Sequence, residues 1–71
     1  SVCLLDSDQK LVPLGVPGEL CIGGDGLARG YLHREALTKE KWIKNPYGKG
    51  RLYRTGDLAV FLPSGDLSFL G

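Results

Sequence analysis

Methionine is missing altogether, histidine and tryptophan occur once each, and cysteine occurs twice. Long apolar runs are missing too. Leu58-Ala59-Val60-Phe61-Leu62 has five residues, far short of the ~20 needed to span a bilayer as a helix. Ser1-Val2-Cys3 does not open a signal peptide. Neither sign of charge dominates: nine Lys and Arg stand against eight Asp and Glu, a net +1. A nucleic-acid surface needs a basic patch, so that class of partner is not expected. Lys39, Lys41 and Lys44 gather near Trp42, but Glu35 and Glu40 dilute them, and the group reads as a solvated face. His33 has no second ligand beside it, which leaves no metal site to expect. Cys3 and Cys21 lie in no ligand spacing, each inside an apolar strand pattern. They read as small buried hydrophobes rather than a disulfide, with nothing nearby to activate either as a nucleophile.

What is present is globular: 42% of 71 residues are hydrophobic. A domain this short buries only ~60% of its unfolded surface, so its stability is marginal without staples. No methionine starts the chain, which opens inside one strand pattern and closes on another. Residues 1–71 are therefore expected to be one fragment of a larger protein.

Val2-Cys3-Leu4-Leu5 reads as a strand, Asp6-Ser7-Asp8-Gln9 as a turn, and residues 10–14 as a returning strand that Pro13 marks as an edge or bulge. Gly15-Val16-Pro17-Gly18 has type II turn chemistry, with Gly18 at the positive φ. In the strand that follows, Leu20 and Ile22 point one way, Glu19 and Cys21 the other. Gly23-Gly24-Asp25-Gly26 breaks the chain. It lacks the Lys-Ser/Thr ending of a phosphate loop and reads as room for a neighbouring backbone. Leu27-Ala28-Arg29-Gly30-Tyr31-Leu32 reads as compact and irregular. Arg29 suits a structural ion pair better than an anion site. Thr38 can cap a short helix over residues 38–43, which Pro46 ends through Asn45. Three strands follow, at residues 51–55, 58–62 and 67–70, the last two joined by a Pro63-Ser64-Gly65-Asp66 hairpin turn. The expected fold is mainly β: a small distorted barrel, or a packed pair of sheets, of about six short strands with one short helix.

The stretch Leu52-Tyr53-Arg54-Thr55-Gly56-Asp57-Leu58 sets a polar step between two apolar runs. Gly56 permits a backbone conformation closed to residues with a Cβ. Asp57 becomes a carboxylate at a strand junction, an acceptor-only group with two oxygens. It can take the two hydrogens of a ribose diol, or close a turn on backbone N–H groups.

Three stretches then fall in order: Gly18-Glu19-Leu20-Cys21-Ile22-Gly23-Gly24 with Leu27-Ala28-Arg29-Gly30-Tyr31-Leu32; Leu37-Thr38 through Trp42-Ile43-Lys44-Asn45-Pro46; and Tyr53-Arg54-Thr55-Gly56-Asp57-Leu58. Together with Leu67-Ser68-Phe69-Leu70-Gly71, they make the chain closely resemble the adenylation domains of nonribosomal peptide synthetases, of the adenylate-forming superfamily. The resemblance covers nearly all of it. It implies a distorted β-barrel at the C-terminal part of the large N-terminal subdomain, ending at the hinge to the small lid. It implies that Asp57 binds the ribose hydroxyls of ATP and of the acyl-adenylate. Phe69, in place of the family's tyrosine, would lie against adenine without a hydroxyl.

The same resemblance implies ATP and Mg²⁺ as needs of the parent enzyme, an amino acid as its substrate, phosphopantetheine on a downstream carrier protein, and a cytoplasmic location. The family's phosphate loop, substrate pocket and Mg²⁺-linked glutamate lie upstream of the matching region, and its lid lysine lies downstream. This segment is therefore expected to hold no catalytic residue, to catalyse nothing alone, and to depend on the remaining parts of the domain. Two other readings stand beside it: an acyl- or aryl-CoA ligase of the same superfamily, and a free-standing β-barrel binding module. As an isolated piece it is expected to dimerise or exchange strands through open edges.

Overall fold

The computed structural model describes residues 1–23 and 39–71. Five strands form one antiparallel sheet: β1 (Val2–Leu5), β2 (Gly18–Gly23), β3 (Trp42–Lys44), β4 (Arg51–Phe61) and β5 (Leu67–Phe69). The order is β1-β2-β4-β3, with β5 also paired to β4. Because β2 occupies one side of β4, β3 and β5 share the other, at opposite ends. The mainly β class is as expected. The described strands, however, form an open sheet rather than a closed barrel, since β1 does not pair with β3 or β5.

Both faces of the sheet bury apolar side chains, which is why the strands read as continuous apolar runs rather than an alternation. Leu4, Leu20, Ile22, Tyr53 and Ala59 form a cluster on one face, with Val2, Val12, Trp42, Phe61 and Leu67 packed against it. Leu5, Cys21 and Leu52 form a second cluster, with Cys3 and Ile43 against it. Register explains the division: Leu4 opposes Leu20 and Ile22 opposes Tyr53, whereas Cys3 opposes Cys21. A fully buried Leu or Ile contributes about 1.5–3 kcal/mol, so these few side chains carry much of the sheet's stability.

Four local expectations change. The returning strand after the first turn is reduced to a single Leu5–Leu11 bridge, although Asp6 N–H still donates to Lys10 O at 2.8 Å. The next turn falls over residues 13–16, where Val16 N–H donates to Pro13 O and Gly15 takes the positive φ of 79°. Gly18 instead lies in β2, where a Cβ would come within 3.1 Å of Leu4 Cβ and Val12 Cγ2. It is a glycine for want of space rather than for its backbone angle.

The expected helix becomes a 3-10 turn, Lys39–Lys41, running straight into β3. Pairing overrides helix propensity there: Trp42 opposes Tyr53 and Ile43 opposes Leu52, so each joins a different core cluster. The Trp42 and Tyr53 rings meet edge to face, centroids 5.2 Å apart, and the Arg51 guanidinium lies 5.7 Å from the Trp42 ring centroid. Finally, the two strands expected at 51–55 and 58–62 are one strand of 11 residues. The turn after it closes as expected, with Leu62 N–H donating to Asp66 O at 2.8 Å. The expectations for Gly24, Asp25, Gly26, Arg29, His33 and Thr38 lie outside the described residues.

Gly18→Ala tests the close approach. Leu4 Cβ and the Leu5 backbone cannot give way without moving β1, so the substitution is expected to cost about 1–3 kcal/mol, measured by denaturant titration of the domain. Unchanged stability would show that β1 and β2 are not held this tightly.

Candidate functional site

Glu19 pairs with Leu58 and Cys21 with Arg54, so three residues of β4, Thr55, Gly56 and Asp57, face Leu20 alone. The polar step is therefore a bulge inside one strand rather than a junction between two. Bulges bend a strand and re-aim its side chains. Gly56 makes the bend possible, at φ 81°, a conformation in which a Cβ strains the backbone.

Side chains hold the bulge in place. Thr55 Oγ1 donates to Leu20 O at 2.8 Å and accepts from Asp57 N–H at 3.1 Å. Glu19 uses both carboxylate oxygens: Oε2 accepts from Gly56 N–H and Oε1 from Arg54 Nε, each at 3.0 Å. The Lys41 ammonium reaches over Gly56, where an added Cβ would meet it at 3.1 Å. Arg54 and Glu19 are partly exposed, and such an ion pair is worth at most ~1 kcal/mol. Its larger effect is to orient the carboxylate that caps the Gly56 N–H.

Of the two roles open to Asp57, closing a turn is already performed by Thr55 and Glu19. The Asp57 carboxylate is exposed and accepts no hydrogen bond from the described residues. Phe69 is also exposed, at 63%, and opposes Ala59. Strand alternation puts Asp57 on the same side as Ala59, hence the same side as Phe69. The chain continues beside β4 after β5, with Leu70 N–H donating to Leu58 O at 2.8 Å and Leu58 N–H to Gly71 O at 3.2 Å. The two residues singled out in the sequence are thus neighbours on one ribbon. Between β3 and β5, residues 54–57 have no strand beside them on that edge among the described residues.

A cleft of about 460 Å³ lies on the opposite face, lined by Leu5, Asp6, Glu19, Cys21, Arg54 and Leu58 among others. Neither Asp57 nor Phe69 lines it, and size alone does not make it the site. Among the described residues, no three His, Cys, Asp or Glu side chains come together as a metal site would require. Sequence reasoning missed Glu19 and Thr55. The available signal was a lone acid in one apolar strand and an arginine in another, which the bulged β2–β4 pairing brings within 3.0 Å.

No family model matches the chain. Curated relatives match it throughout. It is 61% identical over its whole length to a segment of bacitracin synthase 1 from Bacillus licheniformis, and 56% identical over its whole length to gramicidin S synthase 2 from Brevibacillus brevis. Over 96% of its length it is 52% identical to tyrocidine synthase 3 from Brevibacillus parabrevis. It spans only 1–2% of the length of these relatives. Among solved structures, the N-terminal subdomain of Klebsiella oxytoca NpsA superposes with a TM-score of 0.70 at 29% identity, covering 99% of this chain and 19% of that one. These likenesses define a class, a piece of an adenylate-forming subdomain. More narrowly, the chain is a segment of an adenylation domain of the nonribosomal peptide synthetase family.

Burial pushes the Cys21 thiol up to about 12 from an ordinary 9.0; Cys3 and Glu19 add to this, while Arg54 opposes it. Cys21 is 1% exposed, and its Sγ–H donates to Glu19 O at 3.6 Å. A thiol that binds its proton more tightly folded than unfolded stabilises the fold fully below the unfolded value. That contribution is lost as pH rises from about 9 towards about 12. Stability should therefore fall in that window, and Cys21→Ala should make the fall shallower. Urea titrations of both forms between about pH 8 and about pH 11 check this; parallel curves would refute it.

Proposed function

We propose that this segment supplies the ribose and adenine contacts for ATP and the aminoacyl-adenylate in an amino-acid-activating domain. Asp57 takes the two ribose hydroxyls, and Phe69 lies against the base. The observation that carries this reading is an exposed carboxylate that accepts no hydrogen bond from the described residues, on a braced bulge and on the same side as an exposed aromatic ring. A diol held by both carboxylate oxygens through charge-assisted hydrogen bonds fixes the nucleotide's orientation. Attack of a carboxylate on the α-phosphate depends on such placement. Mg²⁺, the amino-acid pocket and the groups that handle pyrophosphate belong to other parts of the parent domain. The activated amino acid passes to a carrier protein bearing phosphopantetheine. A CoA ligase of the same superfamily is the less favoured reading, because the relatives matched over 96–100% of the chain are bacitracin, gramicidin S and tyrocidine synthases. No helix among the described residues is long and apolar enough to cross a membrane.

In the full synthetase, Asp57→Ala removes the charged hydrogen bonds and is expected to weaken ATP binding by roughly 1.5–3 kcal/mol, read by calorimetry. An unchanged ATP affinity removes the assigned role. The isolated chain should give no ATP–pyrophosphate exchange above blank. Strand edges that are unpaired among the described residues favour self-association, so sedimentation at high concentration should show dimers; a monomer would count against open edges.

A further inference from the structure

We infer that Glu19 and Thr55 are positioning residues that set where the Asp57 carboxylate stands; this rests on the reading of Asp57 as the ribose ligand. The bulge has no regular ladder to hold it. With three residues of β4 opposite Leu20, its backbone groups are met by side chains instead. Glu19 Oε2 pins the Gly56 N–H, immediately before Asp57, and Thr55 Oγ1 accepts the N–H of Asp57 itself. Both peptide groups flanking the Gly56 Cα are therefore fixed. Thr55 ties this unit to β2 by donating to Leu20 O, and Arg54 orients the Glu19 carboxylate through its other oxygen. Three hydrogen bonds of 2.8–3.1 Å converge on Thr55, Gly56 and Asp57, a fourth of 3.0 Å holds Glu19, and none of them uses the Asp57 carboxylate.

Gly56 is free to take many conformations when unbraced, so the direction of the next side chain depends on those contacts. A carboxylate displaced by a fraction of an ångström no longer meets both hydroxyls of a diol at hydrogen-bond distance. Loss of either brace should therefore appear as loss of sugar recognition, in addition to any loss of stability.

The test compares kcat/KM for ATP with that for 2′,3′-dideoxy-ATP in pyrophosphate exchange by the full synthetase. Asp57→Asn should abolish most of the preference for ATP. Glu19→Gln and Thr55→Val keep side-chain volume and should each reduce that preference at least about tenfold, a loss of the order that attends small misplacement of a positioned group. Thr55→Ser, which retains the hydroxyl, should restore it. If Glu19→Gln and Thr55→Val lower activity with both nucleotides equally, the two residues are structural only and the inference fails. If Asp57→Asn itself leaves the preference intact, the ribose reading fails and takes the inference with it. Should one brace variant not fold, the other still decides.

Discussion

Between Leu52 and Ala59, eight residues of β4 run beside only six of β2, and the excess must go somewhere. It is collected in one place, at Thr55-Gly56-Asp57, and not spread as weak pairing along the strand. The reason is chemical. Gly56 adopts the positive φ at no steric cost, while Thr55 and Glu19 offer oxygens to the N–H groups that the bulge leaves without ladder partners. Gly56 and Asp57 are exposed, so without these acceptors water would take the two N–H groups, and the bulge would lose the net ~0.5–1.5 kcal/mol that each hydrogen bond contributes. Every other feature of the sheet follows from keeping that register. Tyr53 stays against Ile22 and Trp42 before the bulge, and Ala59 against Phe69 after it. A one-residue slip would exchange the two core faces throughout β4.

Much of this was legible in the sequence, for reasons that separate cleanly. The positions of β1, β2, β4 and β5 were readable because both faces of the sheet bury apolar side chains, which demands runs such as Val2-Cys3-Leu4-Leu5. The turns were readable where Pro, Gly and Asp impose local geometry, as before Leu67. The opposite orientation of Leu20 and Cys21 needed only strand alternation. The continuity of β4 was not legible, since a polar Arg-Thr-Gly-Asp step looks the same whether it ends a strand or bulges within one. The choice depends on Glu19, 37 residues before Gly56, and no local pattern carries that distance. The 3-10 turn leading into β3 fails for a related reason. Lys39, Glu40 and Lys41 suit a helix, but Trp42 and Ile43 gain more from pairing with Tyr53 and Leu52. The placement of Asp57 and Phe69 on one side required the β4–β5 register as well.

The two acids in this region have separate tasks, although both belong to the same sheet. Glu19 is fully engaged, one oxygen on a guanidinium and one on a backbone N–H. Among the described residues, Asp57 is engaged through its N–H and not through its carboxylate. An acid that satisfies backbone donors has nothing left for a ligand; an acid relieved of that duty has both oxygens to offer. The second arrangement arises here because the first is in place.

For the proposed sugar contact, this division bears directly on the cost of binding. A carboxylate on a free loop must be ordered when the nucleotide arrives, and that ordering subtracts from affinity. On β4 the ordering is done at folding, by side chains that never meet the nucleotide. Among the described residues, the gap between β3 and β5 leaves the Asp57 edge without a strand beside it, while Phe69 stays fixed by pairing to Ala59. The segment is thus suited to present two groups rigidly to a molecule whose phosphates are held elsewhere. That is the arrangement expected of a part that orients a substrate without reacting with it.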